Sequence, residues 1–138
     1  MIIVVDSGST KADWAVADNS PSHQLFSTMG FNPVYHKEEV IYQEAAKVFE
    51  QVVATEKVKA VHYYGAGCWD QEKKSVVAKA LQRVFSSAEV QVYHDLLGAA
   101  RAACGKQAGI ACILGTGSNS CLFDGDQILD NVTNLGYF

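Results

Sequence analysis

Two short stretches of glycine and hydroxyl residues have the composition of phosphate-binding turns. In the first, residues 5–14, an apolar run ends at Asp6 and turns through small residues that include Gly8, Ser9 and Thr10. Glycine lets the backbone approach an anion closely, and Ser and Thr add hydroxyl donors. An Asp at the end of a strand can hold hydrated Mg²⁺ through water. Taken alone, this stretch is equally typical of a β-hairpin turn, which also favours Gly and Ser.

The second stretch repeats this arrangement, because an apolar strand ends at Leu114 and turns through Gly115, Thr116, Gly117 and Ser118. Phosphoryl transfer depends mainly on positioning the phosphates and the metal. Two such turns facing each other across a cleft could therefore position phosphate groups. The alternative for the second stretch is a tight β-turn with glycine at positive φ.

Asp95 is the best candidate for a general base. It closes a predicted strand and opens a predicted Ala-rich helix, the edge at which α/β sheets place their ligands. Asp is also a preferred helix N-cap, which would explain the residue without any chemistry. The histidines at positions 36, 62 and 94 are scattered along the chain, and we expect them to be structural.

Composition restricts the class of partner. The chain has 138 residues, 49% of them hydrophobic, a net charge of −4 and no basic cluster. We therefore expect one soluble domain that binds a small molecule and neither nucleic acid nor a membrane. The four cysteines form no C-x-x-C pair, which argues against a metal site or a redox dithiol. The N-terminal apolar run is too short for a signal peptide or a membrane span, which predicts a reduced, cytoplasmic protein.

Hydrophobic periodicity predicts the elements that position these residues. Three strands at 1–5, 12–17 and 23–28 are joined by tight turns and should form an antiparallel meander. From Lys37 to about Thr55 the apolar residues fall at helical spacing. The later predicted elements are strand 58–64, a second amphipathic helix, strand 89–94, helix 95–104, strand 108–114 and a hairpin over 119–129. This order predicts an α/β layered sandwich with a mixed sheet and helices on both faces.

Four motifs in this order resemble those of the actin-like ATPase superfamily, the group of actin, heat-shock chaperones and sugar kinases. Within it, the chain is most similar to the family of N-acetylglucosamine kinases and BadF/BadG/BcrA/BcrD-type ATPases. The motifs are residues 6–14, residues 30–33, Asp95 with its helix, and residues 114–118. The resemblance implies a ribonuclease-H-like three-layer sandwich that begins with a three-strand meander.

The resemblance also implies an ATP-dependent sugar kinase that phosphorylates a hydroxyl of N-acetylglucosamine or a related hexose. Asp95 would be the catalytic base and contact the sugar, together with Asn32 and Gly65. The implied residues for ATP and Mg²⁺ are Asp6, Gly8, Ser9, Thr10, Lys11, Gly115, Thr116, Gly117 and Ser118, with Asp6 holding the metal through water. Asn32 in an ordinary turn and Lys11 as an exposed strand residue remain open alternatives.

Members of the family usually carry two such domains, and Gly136 to Phe138 resembles only the start of the second. We expect a ribonuclease-H-like domain at residues 1–114. Residues 115–138 would lead to a C-terminal domain outside this sequence, which would hold the adenosine pocket and a homodimer contact. On this expectation the 138-residue chain is inactive by itself. Two other functions stay open, a BadF-type ATPase that drives a partner reductase through an iron–sulfur cluster and a non-catalytic binding module.

Overall fold

The first three strands form the antiparallel meander that the sequence predicts. They are β1 (Ile2–Ser7), β2 (Lys11–Ala17) and β3 (Gln24–Met29) in the computed structural model, which describes residues 1–115 and 117–136. β2 pairs with both β1 and β3. The chain divides into two compact units, Met1–Tyr93 and His94–Phe138. The sequence-based domain boundary after residue 114 stays a prediction.

Two helices and two further strands complete the first sheet. They are α1 (Glu38–Val52), β4 (Ala60–Gly65), α2 (Gln71–Val84) and β5 (Glu89–His94). The strand order is β3-β2-β1-β4-β5, and β4 runs parallel to β1. The first helix ends three residues before the predicted Thr55, because Val53 adopts extended backbone and a separate 3₁₀ turn follows at Thr55–Lys57. The predicted mixed α/β fold is confirmed.

The core of the first unit lies between this sheet and the two helices. In β1, Ile3, Val5 and Ser7 are buried and the residues between them are exposed, as expected for a strand with one covered face. Trp14 of β2 packs edge-on against Phe49 of α1, with ring centroids 4.8 Å apart. The alternation turns Ser7 inward and Asp6 outward at the end of β1.

The second unit is a helix packed on a three-stranded antiparallel sheet. Its elements are α3 (Asp95–Cys104), β6 (Gly109–Leu114), β7 (Gly117–Phe123) and β8 (Ile128–Gly136). Its core comprises Leu96, Ala100, Ala111, Cys121 and Phe123. The predicted hairpin is present between β7 and β8, although β8 continues seven residues past the predicted end at 129. Among the residues described, no helix is long and apolar enough to cross a membrane.

Candidate functional site

The first glycine turn joins β1 to β2. It is closed by a hydrogen bond from the Gly8 N–H to the carbonyl of Lys11, 2.9 Å long. Ser7 is fully buried, whereas Ser9 and Thr10 are exposed. The hydroxyl groups available to an anion at this turn are therefore those of Ser9 and Thr10.

The predicted substrate loop, residues 30–33, is bonded directly to this turn. The Gly30 N–H donates to the Thr10 carbonyl, and the Phe31 N–H donates to Ser7 Oγ, both at 2.9 Å. A Cβ on Gly30 would overlap the Gly8 carbonyl oxygen and lie 2.8 Å from the backbone nitrogen at position 11. Only glycine lets the two backbones approach this closely.

Asn32 is the polar residue of the loop, and it is held on both sides of its amide. Its Nδ2 donates to Ser9 Oγ at 2.9 Å, and its Oδ1 accepts the Val34 N–H at 3.0 Å. Its own backbone N–H donates to Nδ1 of His36 at 3.1 Å. An Asn amide carries a second N–H on Nδ2 and a second lone pair on Oδ1. These two groups are the ones on the Asn32 amide that are left for a further polar partner.

The small-residue bend after β4 contacts the same loop. Gly65 is buried and pairs in register with Ser7 across the parallel strands β1 and β4. The next N–H, at position 66, donates to the Ser7 carbonyl at 2.8 Å. Gly67 has a φ of 76°, and a Cβ there would overlap Oδ1 of Asn32. This bend therefore needs glycine both for its backbone conformation and for its contact with the loop.

The turn, the loop and the bend thus meet at the carboxyl ends of two parallel strands. This is the edge of an α/β sheet at which ligands bind. The structure brings together Ser9, Thr10, Asn32 and Gly65, which the sequence had assigned to phosphate and sugar binding.

Asp6, the predicted Mg²⁺ residue, lies on the opposite face of β1 from Ser7. Its cross-strand partner in β2 is Asp13. The Asp6 side chain is exposed, but partial desolvation of its carboxylate and, to a smaller extent, the negative charge of Asp13 raise its pKa. Hydrogen bonds from Lys11 and Ser27 lower the pKa of Asp13. Lys11 Nζ lies 2.9 Å from the Asp13 carboxylate, so the lysine predicted to bind phosphate is paired on this exposed face.

Replacing Asp13 by Asn should lower the pKa of Asp6 part of the way towards its ordinary value. A like charge disfavours the ionised form, so its removal favours ionisation, while the larger desolvation effect remains. The new amide oxygen can still accept the hydroxyl proton of Ser27. A pH titration of the Asp6 carboxyl carbon by NMR measures the shift. The control Asp18→Asn, whose carboxylate is bonded to Ser20, should leave the Asp6 titration unchanged; an unchanged pKa in Asp13→Asn would contradict the prediction.

Asp95 is the first residue of α3, but it is not the N-cap. The cap is His94, whose Nδ1 accepts the Leu96 N–H at 3.2 Å. Asp95 Oδ1 lies 3.0 Å from Nε2 of His94, and 18% of the Asp95 side chain is exposed. The N-cap of α3 is thus His94, while Asp95 lies in the first turn, where a negative charge still interacts favourably with the helix N-terminus.

β6, the strand that leads into the second glycine turn, lies beside α3. A Cβ on Gly109 would lie 2.8 Å from Cys104 Sγ, so β6 begins beside the last residue of α3. Helix and strand pack together through a shared core and have lengths of about 15 and 20 Å. β6 therefore starts beside the end of α3, packs against this helix and ends at Leu114, before the second turn.

Asn119, which follows the second turn, was not among the site residues predicted from the sequence. Gly115 donates its N–H to the Gly117 carbonyl at 2.9 Å, and Ser118 is half-buried. Thr116 lies outside the described residues. The Oδ1 atom of Asn119 is buried and has no hydrogen-bond partner among the described residues. An unpaired buried acceptor costs about 1–3 kcal/mol, so this oxygen requires a donor that the described residues do not supply.

A sequence signal for Asn119 did exist. Asn is depleted in strands, where β-branched and aromatic residues are preferred. At position 119 it follows the glycine turn directly and pairs with Ile113 in the ladder of β6 and β7. A polar residue placed where a strand favours an apolar one indicates a functional role.

The chain is similar to several solved structures. A proposed N-acetylglucosamine kinase from Porphyromonas gingivalis has a TM-score of 0.87 and 43% identity over 96% of this chain. MreB5 of Spiroplasma citri, solved with ADP, has a TM-score of 0.69 and 9% identity over 98% of this chain and 51% of its own. The ethanolamine utilization protein EutJ from Carboxydothermus hydrogenoformans has a TM-score of 0.55 and 16% identity, over 97% of this chain and 51% of its own. No family model and no curated protein sequence matches the chain.

The chain covers 48% of the length of the Porphyromonas protein, so it corresponds to about half of that molecule. With that protein the likeness extends to sequence, whereas the other two structures share only the fold. The predicted resemblance to the N-acetylglucosamine kinase family is therefore confirmed, and the fold of the chain is the one found in MreB5 and EutJ.

Proposed function

We propose that this chain is the N-terminal half of an ATP-dependent sugar kinase that phosphorylates a hydroxyl of N-acetylglucosamine or a related hexose. The observation that carries the proposal is its 43% identity, over nearly its whole length, to a protein described as a proposed N-acetylglucosamine kinase. The arrangement of Ser9, Thr10, Asn32 and Gly65 at one sheet edge supports it. We further propose a cytoplasmic enzyme that acts on a small molecule and forms a homodimer through its C-terminal half.

One observation supports a fit to ATP. Ser9 and Thr10 present exposed hydroxyl groups beside a glycine turn, which suits phosphate oxygens. Within residues 1–115 and 117–136, no three His, Cys, Asp or Glu side chains cluster to hold a metal ion. We propose that Asp6 holds Mg²⁺ through the water shell of the ion, since Mg²⁺ bound to nucleotide phosphates usually keeps several waters.

In the proposed reaction, Asp95 accepts the proton of the sugar hydroxyl as its oxygen attacks the γ-phosphorus and the bond to ADP breaks. The N–H groups and hydroxyls of the first turn bind phosphate oxygens, and we propose the same role for Gly115, Thr116, Gly117 and Ser118. Asn32 orients the sugar through the second N–H of its amide. When bound, Mg²⁺ neutralises charge on the transferring phosphoryl group.

A substrate screen on the full-length protein tests the proposed function. ADP release is coupled to a spectroscopic readout with ATP, Mg²⁺ and a panel of amino sugars and neutral hexoses. We expect release that depends on an amino sugar, with N-acetylglucosamine among the best substrates. Equal release with no sugar present would favour the BadF-type ATPase instead, and absence of turnover with every sugar would favour a binding module.

A further inference from the structure

His94 connects the start of α3 to the carboxylate of Asp95. Only 8% of the His94 surface is exposed. One ring nitrogen, Nδ1, accepts the backbone N–H of Leu96 at 3.2 Å. The other, Nε2, lies 3.0 Å from Oδ1 of Asp95, a hydrogen-bonding distance. The imidazole is therefore placed between a fixed backbone group and the proposed general base.

These two contacts define which nitrogen carries the proton. A nitrogen that accepts an N–H must present its lone pair, so Nδ1 of His94 is unprotonated. The proton of the neutral ring is then on Nε2, from which it is donated to Asp95. The helix backbone thus selects the tautomer, and the tautomer makes the ring a donor to the carboxylate.

We propose that His94 is a positioning residue for Asp95, an inference that rests on the proposed kinase function. A general base must be held within hydrogen-bond reach of the proton that it takes. A buried ring whose own orientation is set by the Leu96 N–H holds one oxygen of Asp95 in place. His94 itself need not touch the sugar or ATP. The expectation from the sequence that His94 is a merely structural histidine is incomplete, because that accounts only for its cap to Leu96.

Two substitutions separate the cap from the contact with Asp95. His94→Asn places an amide oxygen near the position of Nδ1, and Asn is among the best N-cap residues. Its side chain is too short to reach Asp95 as Nε2 does. His94→Gln places an amide nitrogen near the position of Nε2, but Gln is not among the preferred N-cap residues. His94→Asn therefore keeps the cap and loses the hydrogen bond to Asp95, whereas His94→Gln keeps that hydrogen bond and loses the cap.

Steady-state kinetics and thermal melting of the full-length protein test the inference. In His94→Asn we expect kcat to fall about 10- to 100-fold, the usual effect of losing an orienting partner, with little change in Tm or in either KM. In His94→Gln we expect most of kcat to remain while Tm falls by about 2–4 °C. A capping role alone predicts the same fall of Tm in the Gln variant, but it predicts normal kcat in the Asn variant, so kcat of His94→Asn separates the two readings.

The outcomes separate this inference from the proposed function. An active wild type with normal kcat in His94→Asn overturns the positioning role and leaves the kinase function in place. A wild type without sugar-dependent ADP release overturns the kinase function, and the positioning role with it. The ¹⁵N chemical shifts of the His94 ring provide a readout that is independent of activity. A proton on Nδ1 instead of Nε2 would overturn the inference whatever the kinetics.

Discussion

Asp95→Asn should lower kcat of the sugar kinase reaction by about 10²- to 10⁴-fold, the usual contribution of general base catalysis. The amide has the shape of the carboxylate but cannot accept the proton of the attacking hydroxyl. Its oxygen can still accept the Nε2–H of His94, so the start of α3 should keep its structure. ATP affinity, measured by calorimetry, should stay close to that of the wild type because the proposed phosphate contacts lie elsewhere.

Asp70→Asn is the matched control for this substitution. Asp70 is also a carboxylate at the start of a helix, where it caps α2 by accepting the Lys73 N–H at 2.8 Å. Asn caps a helix as well as Asp does, so both stability and kcat should be unchanged. Unchanged kcat in Asp95→Asn would remove Asp95 from the proposed mechanism. An equal loss of kcat in Asp70→Asn would show that replacing any Asp at the start of a helix lowers kcat, so the loss in Asp95→Asn would not indicate a general base.

Gly30→Ala should destabilise the protein by about 3 kcal/mol or more and also weaken ATP binding. The added methyl group would lie 2.7 Å from the carbonyl carbon of Ser9 and overlap the Gly8 oxygen. These are backbone atoms, so the clash cannot be relieved by rotating a side chain. The first turn itself must move, and the hydroxyls of Ser9 and Thr10 move with it. Urea unfolding measures the first effect, and an ATP titration measures the second.

Gly8→Ala is the control for Gly30→Ala because it changes the same turn without a clash. A Cβ at Gly8 would meet only the Lys11 carbonyl oxygen, at an ordinary contact distance of 3.6 Å. Stability should therefore change by no more than about 0.5 kcal/mol. ATP binding should still weaken, because the methyl group stands where the backbone approaches the phosphates. A large loss of stability in Gly8→Ala, or none in Gly30→Ala, would contradict the packing described for the turn and the loop.

The order of elements could be predicted because its signals are local. Strand 89–94 and helix 95–104 match β5 and α3 residue for residue, since Asp95 starts an Ala-rich helix and Gly105 ends it. The end of β8 was not predictable in the same way. Its residues 130–134 include Asp and Asn, which have low strand propensity. Backbone pairing with β7, a non-local interaction, extends the strand to Gly136.

The candidate site was predictable as a set of residues but not as a set of contacts. Glycine and hydroxyl turns are visible in sequence, whereas the bond from Asn32 to Ser9 joins residues 23 positions apart and depends on tertiary packing. The same limit applies to His94 and Asn119. The bond from Leu96 to a His94 nitrogen and the unpaired oxygen of Asn119 depend on tertiary structure, although the low strand propensity of Asn marks position 119 in the sequence.

The opposite orientations of Asp6 and Ser7 fix the register of β1. A slip of one residue would move Ser7 to the open face and place the Asp6 carboxylate beneath the helices. That carboxylate would be buried without a cation, while the Phe31 N–H would lose its acceptor. The polar residues at the end of the strand therefore help to specify its alignment, together with the apolar residues before them. A deletion or insertion within β1 would shift Asp6 and Ser7 to the wrong faces and would disrupt both the sheet and the first turn. The number of residues between Ile3 and Gly8 is therefore fixed by the structure.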